Sequence, residues 1–274
     1  MSSIDIVPEA YRGAWQQQVQ PANTGTAPRS FWLQTKRLHA SIFIPDNRPD
    51  FSGKAALSDF NKDELLWLAS QRGIAGSCFV EGNMLHRRRQ IDYQSSRGKV
   101  NERYMSFDND YLLETLPNST EHLLWRKISE SGAESIALRF QDETGVTDIS
   151  GQRKGLLLVV GDYFMYVRDR GYFVPQSESL GTLSECREYS RQQLAELLDF
   201  EISFGLRRAG NMPWEIRHST LPFREGKALM GEGGIESLAK NGGGMQKVNR
   251  NGKSVLRRWS VDDWSHAASE LNRD

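Results

Sequence analysis

The chain is poor in the groups that usually advertise chemistry. Its 274 residues hold two cysteines, Cys78 and Cys186, and five histidines, His39, His86, His122, His218 and His266. The cysteines lie far apart without C-x-x-C spacing, and no two histidines form an H-x-H or H-x-x-x-H pair. No metal site is expected, and both thiols read as small buried or half-buried groups. G-x-S-x-G does not occur, which removes the usual serine-nucleophile elbow. Neither G-x-x-x-x-G-K-S/T nor a strand followed by G-x-G-x-x-G is present, so the glycines of "GEGGIESLAKNGGG" (Gly231 to Gly244) form no phosphate loop. No cofactor is expected; a haem held by one distant histidine in a barrel is the alternative left open.

Net charge is lacking too, since Lys plus Arg and Asp plus Glu both total 35. Without an overall field, neither nucleic acid nor a membrane surface is an expected partner. The cluster "HRRRQ" (His86 to Gln90) could hold a phosphate, but an alternating strand splits its arginines between two faces. No unbroken apolar run approaches the roughly 20 residues of a membrane-spanning helix. The opening "MSSIDIVPEA" has no positive segment ahead of an apolar core, and a cytoplasmic location is the expectation. With 38% hydrophobic and 26% charged residues the composition is ordinary for a globular protein, enough for one large domain or two small ones.

What the chain does have is short apolar or alternating runs between turn residues, the pattern of a β-barrel or sandwich. "SFWLQT", "RLHASIFIP", "GIAGSCFVEG", "NMLHRRRQIDYQ", "ERYMSFDND", "YLLETL" and "EHLLWRKI" make a first set. A second set begins near Glu134 with "ESIALRFQDE", "KGLLLVVGDYFMYVRDR", "DFEISFGLRRAG", "PWEIRHSTLPF" and "KSVLRRWSV". The Lys154–Arg170 run lacks the spacing of a surface helix and is rich in Val, Tyr and Phe, which predicts a buried strand. "SESGAE" (Ser129 to Glu134) punctuates the two sets, giving an expected division into residues 1–131 and 132–274.

The clearest hairpin has Gly82-Asn83 at its tip, suited to a type II′ turn. Its register pairs Glu81 with Met84, Val80 with Leu85, Phe79 with His86, Cys78 with Arg87, and Ser77 with Arg88. One face then carries Phe79, Met84, His86, Arg88 and Asp92. The other carries Cys78, Val80, Leu85, Ile91 and Tyr93 beside Arg87 and Arg89; it is the expected core, and the first suits a partly polar cavity. Helices are few. Asn61 and Glu64 suggest a capping box before "DELLWLASQ", as do Thr182 and Glu185 in "TLSECREYSRQQLAELLD", where Leu194, Leu197 and Leu198 form a stripe and Tyr189 and Cys186 pack. The segment 231–244 reads as a mobile linker, and "SVDDWSHAASELNRD" as a short terminal helix with Ser260 as cap.

The runs "SFWLQTKRLHASIFIP", "DYLLETLPNSTEHLLWRKI", "ESIALRFQDETG", "KGLLLVVGDYFMYVRDR", "FEISFGLRR" and "PWEIRHST" cover about two thirds of the chain. Their order resembles the fungal HRI family, named for a budding-yeast protein that interacts with a casein kinase, and its bacterial relatives. The resemblance implies a mainly β protein of two lipocalin-like antiparallel barrel halves in tandem with short flanking helices. It also implies a family with no established catalytic activity. The Gly-rich insertion and the terminal helix depart from that pattern and bear on closure of the second barrel.

Small barrels can enclose one ligand, with side chains alternating in and out. "RLHASIFIP" puts Leu38, Ala40, Ile42 and Ile44 on one face and His39, Ser41 and Phe43 on the other. If the latter lines a cavity, His39 and His86 could act with Arg88, Asp92 and Glu114 as acid, base or anion holder. The bland alternative makes the charged residues solvated or cross-strand partners and His39 a satisfied histidine. Phe43, Phe79, Arg88, Asp92 and Trp125 are the candidate ligand contacts, and His39, His86 and Glu114 the candidate catalytic groups. Trp15, Trp32, Trp125, Tyr163 and Phe164 fit either a pocket or a core; Trp214 and Trp259 would seal barrel ends. Three functions follow: a binder of a small, largely apolar molecule, a cofactor-independent isomerase, cyclase or lyase, and a scaffold for a protein partner.

Overall fold

The computed structural model describes residues 6–18, 29–94, 100–144, 154–171, 174, 179–181, 189–208, 210–230, 234–250 and 253–265. The alternating runs of the first set form β1 (Gly13–Gln17), β2 (Arg29–Gln34), β3 (Leu38–Ile44), β4 (Arg72–Glu81), β5 (Met84–Asp92), β6 (Val100–Asp108), β7 (Tyr111–Thr115) and β8 (His122–Lys127). Each pairs antiparallel with the next, and β8 returns to β1 with Trp15 opposite Lys127, closing a barrel. The second set forms β9 (Ser135–Thr144), β10 (Gly155–Val160), β11 (Tyr163–Arg168), β12 (Glu201–Leu206), β13 (Glu215–Ser219), β14 (Gly243–Arg250) and β15 (Lys253–Ser265). Residues 128–134 link the two sets. Among the described residues three named helices accompany them: α1 (Lys62–Leu68), α2 (Arg191–Leu197) and α3 (Gly234–Lys240). None is long enough to cross a bilayer.

The protein is mainly β, with one closed barrel, but the expected second barrel is instead an open antiparallel sheet of order β13-β12-β11-β10-β9-β15-β14. Its edges do not meet: β13 pairs with β12 and touches Ala228 through one bridge, and β14 pairs with β15. The expected terminal helix is also corrected. "SVDDWS" continues β15, because bulges at Arg258/Trp259 and Val261/Asp263 absorb extra residues while pairing with β9 runs on to Ser265. Ser260 sits opposite Gly243 in the ladder, inside β15 and not at a helix start; residues 266–274 lie outside the described residues. The Gly-rich linker is corrected likewise, since α3 and the start of β14 occupy 234–244. Thr182, Glu185 and Cys186 lie outside the described residues. The N-cap of α2 is Ser190, whose side chain accepts from the Gln193 backbone N–H; α1 has the expected Asn61 and Glu64 box.

The two β units are stacked through one apolar layer. Phe31, Leu33, Leu38, Ala40, Ile42 and Ile44 point out of the barrel and join Leu156, Leu158, Val160, Met165, Val167, Ile202 and Phe204 of the sheet in a common core. Phe31 and Phe204 stack at 4.0 Å between ring centroids, and a Cβ on Gly73 would fall 2.3 Å from Ile202 Cδ1. The strands therefore approach as closely as glycine allows. Each Leu or Ile fully buried here contributes roughly 1.5 to 3 kcal/mol. Leu65 and Leu68 of α1 and Leu194 and Leu197 of α2 extend the same core. On its far face the sheet buries Leu157, Val159, Phe164 and Tyr166 against Trp214, Trp259 and the α3 residues Ile235, Leu238 and Ala239. Strand β10 is thus buried on both sides, which accounts for its unbroken apolar run. Trp214 and Trp259 pack on this face of the open sheet and seal no barrel. An Arg48–Glu225 pair, with N···O distances of 2.8 and 2.6 Å, ties the segment after β3 to the turn after β13.

The β4–β5 hairpin has the register expected from Gly82-Asn83, with Gly82 at φ +62. Between Ala75 and Gly76 the register shifts by one residue: Gly76 faces Arg89 and Ala75 faces Ile91, leaving Gln90 bulged. Beyond this point the faces swap. Asp92 joins Arg87 and Arg89 on the inner face, while Ile91 and Tyr93 turn outward into the shared core. Gly76 permits the bulge because a Cβ there would lie 2.0 Å from the Arg88 carbonyl oxygen and 2.9 Å from the Gln90 nitrogen, both backbone atoms. Gly76→Ala is expected to lower stability by about 2 to 4 kcal/mol in urea unfolding; an unchanged midpoint would show that the bulge is not held this way.

Candidate functional site

The alternation that sends apolar residues of β2 and β3 outward sends Ser30, Trp32, His39, Ser41 and Phe43 inward. All eight strands contribute lining to one cavity of about 890 Å³ inside the barrel. Its far end is closed. Val7 and Tyr11, on and beside the short turn Glu9–Tyr11, pack with Trp15, Cys78, Leu85, Met105 and Leu112 into an apolar floor. The Trp15 indole N–H donates to the Tyr11 carbonyl at 3.0 Å, fixing the turn to the floor. The mouth lies at the other end, where Phe43, Arg72, Ile74 and Leu123 meet Leu66, Ala69 and Ser70 from the end of α1.

Between floor and mouth runs a polar belt. Glu114 is 4% exposed and is the acceptor for three donors: Arg87 at 2.7 Å, Arg103 at 3.1 Å and the Trp125 indole N–H at 2.8 Å. Arg87 also lies over the Trp32 ring, 4.5 Å from its centroid. Arg89 pairs with Asp92 at 3.2 Å, and Asp92 accepts in addition from the Gln94 backbone N–H. The belt therefore holds three guanidiniums and two carboxylates. Arg103 is held below the usual guanidinium value by burial and by the neighbouring Arg87 and Arg89 charges, against the opposing pull of Glu114. Three buried polar atoms on lining side chains have no hydrogen-bond partner: Trp32 Nε1, Arg89 Nε and Asn101 Oδ1.

Of the residues singled out from sequence, Phe43, Asp92, Glu114 and Trp125 line this cavity. Phe79, His86 and Arg88 do not, because the face expected to suit a cavity is the outer one. There Phe79 stacks on His86 with centroids 4.6 Å apart, Arg88 lies over Phe79, and His86 sits between Glu102 at 3.3 Å and Glu81 at 3.5 Å. His39 faces inward but is sealed in the wall opposite Gly76. Burial and the Arg87 and Arg89 charges pull it down to about 3, with the Arg88 backbone opposing, and neither ring nitrogen meets a well-aligned partner. So weak a base is neutral at pH 7 and ill suited to take a proton. Burial pushes the Cys78 thiol up to about 12, with Gln34 and Arg87 opposing, so it is no thiolate nucleophile. Both cavity carboxylates are already engaged by arginines. The arrangement presents donors and aromatic faces to the cavity, and its carboxylates are held by arginines.

Arg103 and Asn101 were not among the sequence candidates; Arg87 and Arg89 entered only within "HRRRQ" as a phosphate holder, and Trp32 only as a residue that fits a pocket or a core. The signal was present in the hairpin register, which puts Arg87 and Arg89 beside Cys78, Val80 and Leu85. That mixed face was read as core, and in a barrel this size it is both core and cavity wall. Comparison with protein-family models, curated proteins and solved structures returns no match. The site is accordingly argued from its own geometry.

Two outcomes follow from the belt. Glu114→Gln keeps an acceptor for Trp125 but leaves Arg87 buried without its counter-charge, which should cost about 3 kcal/mol in urea unfolding. His39 takes up a proton in the unfolded chain near pH 6.5 but only near 3 when folded. Stability from this group is therefore lost as pH falls through that window, at most about 1.4 kcal/mol per pH unit. Between pH 6.5 and 5, His39→Leu should lose about 1.6 kcal/mol less stability than the parent; equal losses would mean His39 protonates in the folded barrel.

Proposed function

We propose that the protein binds a small amphipathic organic molecule inside the barrel, as a lipocalin-like carrier or receptor, without transforming it. The observation that carries this reading is the one-ended cavity of about 890 Å³ walled by all eight strands, a size suited to small-molecule sites, which run about 300 to 1,000 Å³. The unpartnered donors and the arginine belt favour a ligand whose polar end sits deep, with its apolar body toward Phe43, Ile74 and Leu123. That modifies the expectation of a largely apolar ligand. Kinship with the HRI family belongs to the same proposal. A reaction by histidine acid-base catalysis is disfavoured by the outward position of His86 and the sealed, neutral His39.

Purified protein incubated with a cell metabolite extract is expected to retain a small molecule in native mass spectrometry. Ser41→Trp, which fills the cavity from its wall, should lower retention by about tenfold or more while leaving the thermal midpoint within a few degrees, since Ser41 is only partly buried. No retention by the parent, or equal retention by the filled variant, would overturn the proposal.

A further inference from the structure

We propose that the polar end of the ligand is a single carboxylate, received by Arg89 and Arg103 beside Trp32. This rests on the cavity reading above and adds the ligand's charge and class. The first observation is the charge count. Arg87, Arg89 and Arg103 form the belt with Asp92 and Glu114, one negative charge short of balance, while the fourth lining arginine, Arg72, is exposed to solvent at the mouth and needs no buried counter-charge. Arg87 and Arg103 share Glu114, and both bond to the same oxygen, Oε1. A guanidinium withdrawn from water needs a counter-charge, and a monoanion supplies the missing one. A phosphate monoester near its dianionic form would overshoot and bury a negative charge of its own.

The second observation is independent of charge. Arg89 Nε and Trp32 Nε1 are buried N–H donors with no partner, on side chains that line the cavity. A carboxylate offers two acceptor oxygens, each able to take more than one such bond. Arg89 gives one terminal nitrogen to Asp92, and its Nε–H stays buried and unpartnered. The Asn101 amide oxygen, also unpartnered, suits a hydroxyl or N–H beside the carboxylate. The indole of Trp125 and the ring of Phe43 favour an aryl or unsaturated body behind it.

The test is calorimetric titration with three ligands sharing one body: 2-naphthoic acid, 2-naphthamide and 2-naphthylmethylamine, at pH 7.5 and physiological salt. The acid should bind about tenfold or more tighter than the amide, and the amine weakest. Arg89→Gln should weaken the acid about tenfold and leave the amide within about twofold, so the amide reports that the cup is still formed; Lys240→Gln, on α3, should change neither. If Arg89→Gln fails to melt cooperatively, Arg103→Gln reads the same quantity. Amide binding as tight as acid, or equal weakening of both by Arg89→Gln, overturns the carboxylate and leaves the cavity reading standing. Failure of all three to bind while a metabolite is retained from extract also overturns the carboxylate alone. Failure of both experiments removes the cavity reading as well.

Discussion

The apolar layer between the barrel's outer wall and the second sheet governs the rest of the molecule. In a lone soluble barrel, strands alternate apolar inward and polar outward. Here Leu38, Ala40, Ile42 and Ile44 point outward into Met165, Val167, Ile202 and their neighbours. The hydrophobic requirement of β2 and β3 is met outside, which frees the inner face to carry Ser30, Ser41, Arg87, Arg103 and Glu114. A polar cavity in a protein of ordinary composition is a consequence of this inversion. Without the second sheet as cover, the same wall would expose a large apolar patch.

Period-two patterning was readable, but its direction was not. The Gly82-Asn83 turn fixed the β4–β5 register, and the Asn61–Glu64 box marked the start of α1, because both signals are local. The long run Gly155–Val160 revealed a strand covered on two sides. Which face of the hairpin looked inward depended on where the second sheet docked, a tertiary fact with no local trace. The parity of Asp92 depended on a single bulged residue, Gln90, and glycine at position 76 was its only mark.

The same limits explain the second unit. Closure of a sheet depends on whether its edges can reach one another, and residues of similar strand character build open and closed sheets alike. "SVDDWS" has the polar start of a capped helix, yet two bulges carry it along β9 as strand. The glycines at 243 and 244 begin β14, where φ values of +133 and +154 bring the backbone close to Trp259 and Leu238. At the site, Glu114 and Trp125 were legible as chemistry-bearing residues. Their convergence with Arg87 and Arg103 required the closed barrel to bring β5 to β8 around one axis.

Among the described residues, the floor made by Val7, Tyr11 and Trp15 leaves a single doorway. On the proposed function, a molecule that enters past Phe43 would leave past it, head last, dragging its buried end through the whole depth of the cup. The lintel of that doorway is the end of α1, whose Leu65 and Leu68 are rooted in the interlayer core. Widening the exit therefore means loosening the joint between barrel and sheet, so on the proposed function a ligand's residence time inside the first unit would be set by how firmly the second one grips.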